Sequence, residues 1–440
     1  MKTIFVLGAG MVSAPCVDYL VRKANCKVVV GDISTMNLGM INSKFPMAET
    51  IKVNVEENIN DVFERYSPYV VINLMPPAFN DTIAKLCLEK QIHHVHPNYV
   101  SKETLSLNSE CKKHGLVFIT ELGLDPGIDH MSAAKKINEI HSKNGMVCSY
   151  VSNCGALPAI DSNNNPWGYK LSWSPSSLIG ASKRTARILN KSKEYYWPDG
   201  NTYEHVEICE VPGLGTFEKY ANGDSIPYRE FYDIPEAETI YRGTVRYPGW
   251  CETICYMNML GFFELDKKDT QGMTFAEFTA RQAGRDNDPE TALCDFLNLK
   301  PWSAFILRMK WLGFFEDRPL PFDKASPRDV VTVLFSEKLV FDEKERDLVI
   351  LMDEIKVKNQ NGSYTKYIST LIDHGIPGKW TSIARTTGIP PAIAAKFILD
   401  GKISIPGVHV PTISEIYVPI LEELKSEGIE MNEKIINDLV

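Results

Sequence analysis

The sequence predicts an α/β fold: a parallel sheet wound with helices, then a mixed α/β domain carrying a helical insertion. Three observations predict it. Apolar strand-like runs and helical patterns alternate through the N-terminal part of the chain. A glycine-rich turn follows the first run directly. Further on, strands with alternating faces give way to a mainly helical stretch.

The strand-like runs lie at 3–7, 27–31, 69–74, 93–96 and 116–120, with helical patterns at 12–23, 79–90 and 102–114. Such alternation argues for parallel strands joined by right-handed crossovers. From Cys148, "CSYVSNCGALPA" reads as a strand and loop, and "DSNNNPWG" as a polar loop. "YEHVEICEV" and "TIYRGTVRYPG" read as strands. The region from Trp250 to Leu320 reads as mainly helical. "LVILMDEIKVKNQNGSYTKYISTLIDHG" has two apolar runs flanking a turn, the pattern of a hairpin. "TSIARTTGIPPAIAAKFILDGKI" predicts a helix beginning near Pro390 and ending before Gly401.

Composition narrows the function. At 440 residues the chain is long enough for more than one domain. The net charge of −9 argues against nucleic acid as a partner, because phosphate contacts need clustered Lys and Arg. The ten cysteines form no C-x-x-C pair, so neither a zinc site nor a disulfide framework is expected. Reduced thiols in a cytoplasmic protein are expected instead. "MKTIFVLGAG" has too short an apolar run for a signal peptide, and no run of about 18 apolar residues suggests a membrane span.

"VLGAGMVSAP" places Gly8 and Gly10 between a strand and a helix. Gly8 allows a tight turn and Gly10 lets the backbone approach a pyrophosphate. The third glycine of the G-x-G-x-x-G pattern is replaced by Ser13, which is also small, and Pro15 falls in the first helical turns. Met11, Val12 and Ser13 open the helix whose N-terminus would face the phosphates. "KVVVGD" ends at Asp32, about twenty residues past the loop, where an acid binds the adenosine ribose. The pattern predicts a Rossmann-like parallel sheet domain. A carboxylate there repels a 2′-phosphate, and no arginine follows in "DISTMN", so NAD is expected as cofactor, with NADP possible.

"ELGLDPGIDHMSAAKKI" is a second dense stretch. Asp125 followed by Pro126 reads as a helix N-cap with proline at N1, and also as a catalytic candidate. Ile128, Met131, Ala134 and Ile137 would form the buried helix face, with Asp129 and His130 as first-turn solvent residues. In "HHVHP", His94 and His96 share a strand face, but no carboxylate or cysteine stands at ligand spacing, so no metal site is expected. Tyr99 lies just past the carboxyl end of this strand, where ligands bind in such folds. In "RGTVRYPG", Arg242 and Arg246 share a face and suit a polycarboxylate substrate, or surface ion pairs.

The chain resembles the L-glutamate-forming saccharopine dehydrogenases, also called saccharopine reductases, of lysine metabolism. "ELGLDPGIDHMSA", "NCGALPA", "NNPWGYKLSWSP", "DIPEAETIYRGTVRYPG", "ERDLVI" and "GIPPAIAAKFILDGKI" carry the resemblance from the first strand almost to the last residue. The family's loop reads G-x-G-x-x-A, then one residue and proline, so Ser13 and Pro15 look like a family trait. The resemblance implies a dinucleotide-binding domain of residues 1–124 plus 390–440. It also implies a mixed α/β substrate and dimerisation domain at 125–389, with a helical insertion at about 250–335. It implies NAD(P)-dependent interconversion of saccharopine with L-glutamate and 2-aminoadipate 6-semialdehyde, in a homodimer. Asp125, Cys154 and Tyr99 are its catalytic positions. Asn98, Tyr99, Asp125, Trp173, Thr244 and Arg246 are its substrate positions. Two residues depart from the pattern: Gly223 in "NGDS" stands where the family has arginine, and Asn98 where it has serine. Arg229 or another cation is expected to compensate. An opine-like or carboxyalkyl secondary amine is the alternative substrate.

Overall fold

The computed structural model describes residues 1–286 and 288–437. Contacts divide the chain into two units, one of 1–149, 229–236 and 351–440, the other of 150–228 and 237–350. Residues 438–440, the tail of the expected C-terminal return, lie outside the described residues.

The first unit opens with β1 (Thr3–Leu7), α1 (Ser13–Lys23), β2 (Lys27–Asp32), α2 (Thr35–Lys44), β3 (Glu49–Lys52) and α3 (Ile59–Tyr66). It continues through β4 (Val70–Asn73), α4 (Asn80–Glu89), β5 (His93–Val95), α5 (Lys102–Ser106), α6 (Asn108–Lys113), β6 (Val117–Ile119) and α7 (Ile128–Ser142). With the late strand Gly407–His409 beside β6, the sheet order is Gly407–His409, β6, β5, β4, β1, β2, β3. Every pairing is parallel. All residues of β1 are buried, as expected of a strand covered on both faces. Phe5, Phe63, Ile83 and Phe118 form the core on one side. The order reverses between β1 and β4, the place where such sheets bind ligands.

Sequence periodicity left 33–68 unassigned. There α2 buries only Leu38 and Ile41, and β3 is a four-residue strand with no buried residue. Such edge elements carry little apolar signal. The 102–114 helix is interrupted at Leu107.

The helix expected from Pro390 begins eight residues earlier, at Ser382, and runs to Leu399 with both prolines inside. The expectation used the rule that proline opens helices and disrupts their interiors. Here the Thr381 side chain caps the N-terminus through the Ala384 N–H at 3.2 Å. The helix is then held by burial against α1. A Cβ on Gly388 would lie 2.2 Å from the Val12 carbonyl oxygen, so glycine lets the two backbones touch.

The strand β7 (Met146–Pro158) has residues in both units, as does the strand Asp347–Lys358. The latter and Tyr364–His374 form the expected hairpin. In the second unit, Glu207–Val211 pairs antiparallel with Gly215–Ala221, which pairs antiparallel with Thr239–Arg246. The expected helical insertion is present as Trp250–Met259, Phe275–Gln282, Pro289–Leu297, Ala304–Leu312 and Pro327–Lys338. Their core includes Phe262, Phe275, Phe305, Phe314 and Phe335. No helix among the described residues is long and apolar enough to cross a membrane.

Candidate active site

The glycine loop is built for close backbone approach. Gly8 has φ +101°, and a Cβ there would stand 3.0 Å from the Leu74 carbonyl. Gly10 faces open space. Ser13 is fully buried, and its hydroxyl donates to the Gly10 carbonyl at 2.7 Å. That bond accounts for serine at the third position: the side chain closes the loop it replaces a glycine in. The N-cap of α1 is Val12, with no side-chain cap, and its first turn carries no acid. Its leading amides are therefore compatible with an anion. The Asp32 carboxylate accepts the Ala9 N–H at 2.6 Å and the Ser34 N–H at 2.7 Å. Met11 is half exposed beside this loop. These residues fit a nicotinamide dinucleotide.

At the carboxyl end of β5 stand Asn98 and Tyr99. The Asn98 side chain donates to the Met75 carbonyl at 3.3 Å and to Asn80 Oδ1 at 3.1 Å, tying this loop to the one after β4. The Tyr99 hydroxyl donates to Asp125 Oδ1 at 3.2 Å. The fold therefore brings these two predicted residues together. Asp125 is not the N-cap that its spacing suggested. The helix α7 starts at Ile128 with Gly127 as its cap, and the Gly127 N–H goes to Asp129 Oδ1 at 2.5 Å. Asp125 sits one turn earlier, in a loop where the Gly123 N–H donates to the Pro126 carbonyl at 2.8 Å. Asp129 and His130, expected in solvent, are buried. Periodicity misplaced them because this helix is buried on nearly all sides, with Lys136 and both first-turn polar residues inside.

In the second unit, Thr239–Arg246 presents alternate residues to one face: Arg242, Thr244 and Arg246. A Cβ on Gly155 would meet the Val245 side chain at 3.1 Å, so Gly155 and Val245 share the opposite face. By alternation Cys154 lies on the face of Thr244 and Arg246. Arg246 is 5% exposed, and its Nη1 donates to the Val245 carbonyl at 2.8 Å. Its guanidinium lies 5.1 Å from the Tyr169 ring centroid and 5.6 Å from that of Trp250. Its Nε has no hydrogen-bond partner, and no carboxylate pairs with it among the described residues. Trp173 joins this cluster by donating its indole N–H to the Tyr169 hydroxyl at 2.8 Å. Burial pushes the Tyr169 phenol up, so it stays protonated. Arg242 instead stacks on Tyr228, 4.1 Å from the ring centroid. Sequence reasoning missed Tyr169 and Trp250, which stand far from Arg246 in sequence or outside its strand.

Arg229 was the cation expected beside Gly223. It donates to the Pro235 carbonyl within its own turn. The residue beside Gly223 is Arg184. Its Cδ lies 3.3 Å from where a Cβ on Gly223 would be, and its Nη1 donates to Asn222 Oδ1 at 2.8 Å. His94 and His96 lie buried side by side with ring centroids 5.2 Å apart.

Comparison with known proteins bears on what this arrangement is. A family model described as the saccharopine dehydrogenase C-terminal domain matches residues 123–429. One described as the saccharopine dehydrogenase NADP binding domain matches residues 4–119. The chain belongs to the saccharopine dehydrogenase family. Within that family it is 32% identical to the Schizosaccharomyces pombe saccharopine dehydrogenase [NADP(+), L-glutamate-forming], with 100% of both chains covered. It is 31% identical to the Saccharomyces cerevisiae protein of that name, over 99% of each. It is 31% identical to the alpha-aminoadipic semialdehyde synthase of Arabidopsis thaliana, over 98% of this chain and 44% of that protein. The solved apo saccharopine dehydrogenase (L-Glu forming) of Saccharomyces cerevisiae superposes with a TM-score of 0.88 at 30% identity, covering 99% of this chain and 100% of that one. The expected family and its two-part α/β fold are thereby borne out.

Proposed function

We propose that this protein oxidises the secondary amine of saccharopine, giving L-glutamate and 2-aminoadipate 6-semialdehyde, or catalyses the reverse. The observation that carries the reading is Arg246. A buried guanidinium without an acid partner is costly unless an anion completes it, and a substrate carboxylate is such an anion. Thr244 and Cys154 on the same face supply a hydroxyl and a thiol beside it. The names of the full-length relatives support saccharopine and give no support to an opine-like amine.

The chemistry assigns roles to residues. The substrate amine must lose a proton before its neighbouring carbon can lose hydride, and Asp125 accepts that proton. Tyr99 orients the Asp125 carboxylate by its hydrogen bond. Water then adds to the C=N carbon, and the departing amine regains a proton; Asp125 and Cys154 serve as the proton carriers. A bound nicotinamide dinucleotide would accept the hydride. Gly8, Gly10, the leading amides of α1 and Asp32 would hold it.

The family description and the relatives' names carry NADP. For this chain we propose NAD as the preferred cofactor, because the Asp32 carboxylate stands where a 2′-phosphate would come and "DISTMN" holds no cation. The missing family arginine is supplied by Arg184. Asn222 follows Ala221, which pairs with Gly243, and the Asn222 N–H donates to the Arg242 carbonyl at 2.8 Å. Its side chain is thus on the face of Arg242, Thr244 and Arg246 and holds Arg184 there. Four residues of strand separate the Arg184 end from Arg246, about 13 Å, the scale of an extended substrate with a carboxylate at each end. The homodimer expected of the family belongs to the same reading; sedimentation reads it.

Purified protein with saccharopine and NAD at alkaline pH is expected to generate NADH absorbance. Absence of turnover with both NAD and NADP would sink the reading.

A further inference from the structure

Glu121 follows the apolar run "LVFIT" and is 2% exposed. Its backbone is left-handed, with φ +53°. A buried carboxylate on a strained backbone needs partners, and strain of this kind concentrates at functional positions. Its backbone N–H donates to the Asn98 carbonyl at 3.0 Å. Its Oε1 accepts the Val100 N–H at 3.0 Å. One residue therefore holds the chain on both sides of Tyr99.

The second carboxylate oxygen lies 2.8 Å from His130 Nε2, and His130 is 1% exposed. His130 Nδ1 lies 2.6 Å from the Tyr232 hydroxyl. With Nε2–H donating to Glu121, Nδ1 accepts the phenol proton, so each group is matched. His130 stands in the first turn of α7, directly after the loop that carries Asp125. That loop is pinned by the Ile128 N–H to the Gly123 carbonyl at 2.9 Å.

We propose that Glu121 and His130 are positioning residues for the Tyr99–Asp125 pair, anchored at the far end by Tyr232. The carboxylate fixes the backbone of Tyr99, and the imidazole ties that carboxylate to the helix that follows Asp125. The 3.2 Å hydrogen bond between Tyr99 and Asp125 is then set from two directions by one buried chain of groups. The inference rests on the role given above to Asp125, and its test separates the two.

Glu121→Ala, Glu121→Gln and Tyr232→Phe are compared with the wild type in saccharopine turnover and in hydrogen exchange of the Val100 amide. Glu121→Ala is expected to lower kcat at least tenfold with the cofactor KM within about twofold. Its Val100 amide is expected to exchange at least ten times faster. Glu121→Gln keeps an acceptor for that amide and is expected to recover its protection and part of kcat. Wild-type exchange in a folded Glu121→Ala protein overturns the proposal, as does a loss confined to KM. If Glu121→Ala fails to fold, unchanged kcat in both Glu121→Gln and Tyr232→Phe overturns it. A wild type that turns over no saccharopine contradicts the functional reading instead, and the exchange result alone then decides the network.

Discussion

The Asp32 carboxylate grips the glycine loop: its Oδ2 holds the Ala9 N–H at 2.6 Å while its Oδ1 holds the Ser34 N–H at 2.7 Å. The end of β2 and the turn after β1 are thus locked together by the residue proposed to set the charge of the ribose site. Removing the side chain would loosen the loop for either cofactor. Asp32→Asn keeps one acceptor oxygen and removes the charge. It is expected to shift the NAD-to-NADP preference toward NADP by roughly tenfold, about 1.4 kcal/mol. Initial rates with each cofactor at saturating saccharopine check it. Equal loss for both would remove the charge argument.

Arg184 stands beside Gly223 and is held by Asn222. Arg184→Ala is expected to raise the saccharopine KM by about tenfold or more, as loss of a charge-assisted hydrogen bond of about 1.5–3 kcal/mol implies. Gly223→Arg is expected to bring no gain. Gly223 has φ +101°, which strains any side chain, and Arg184 already fills the adjacent space. Higher activity in Gly223→Arg would mean that the clamp is missing here.

Gly388→Ala probes the contact between the Ser382–Leu399 helix and α1. The added methyl would lie 2.2 Å from the Val12 oxygen, so the helices must separate. The expected cost is about 1–3 kcal/mol of stability, read as a lower melting temperature. Dinucleotide affinity is expected to fall too, because Val12 is the N-cap of the helix proposed to face the phosphates. A variant with wild-type melting and binding would show that the contact relaxes freely.

Three histidines in and just after β5 predict acid sensitivity. Burial holds the His93 and His96 imidazoles down at about 4, and it pushes His94 well below the usual imidazole range. The unfolded chain takes up these protons near pH 6.5, while the folded chain refuses them until about pH 4. Stability is therefore full above about pH 6.5 and is lost as pH falls toward 4, by at most about 3 kcal/mol for His96. Melting temperature measured from pH 7 to pH 5 is expected to fall, and His94→Leu is expected to flatten the slope. A slope unchanged by that substitution would assign the acid loss to other groups.

Much of this protein was legible before its structure. Alternating apolar runs gave the parallel strands of the first unit, because strands covered on both faces must be apolar throughout. The turn at Gly8 and Gly10 between β1 and α1, with Asp32 ending β2, was legible because it depends on local backbone geometry at a fixed spacing. Edge elements such as β3 were not, since half-solvated strands carry weak patterns.

What the sequence determined by itself is therefore local: strand, turn, helix, and the residue types available for dinucleotide and carboxylate binding. Only the tertiary structure decided which polar residues are buried and with whom. Nothing in "TELGLDPGIDH" distinguishes a solvent-facing His130 from one held between Glu121 and Tyr232, which lies 102 positions away. Nothing near Gly223 in sequence points to Arg184. Nor does a proline pair announce that a helix will run through it. In each case the deciding energy comes from long-range packing and from pairing buried polar groups, which depend on neighbours the local pattern does not contain.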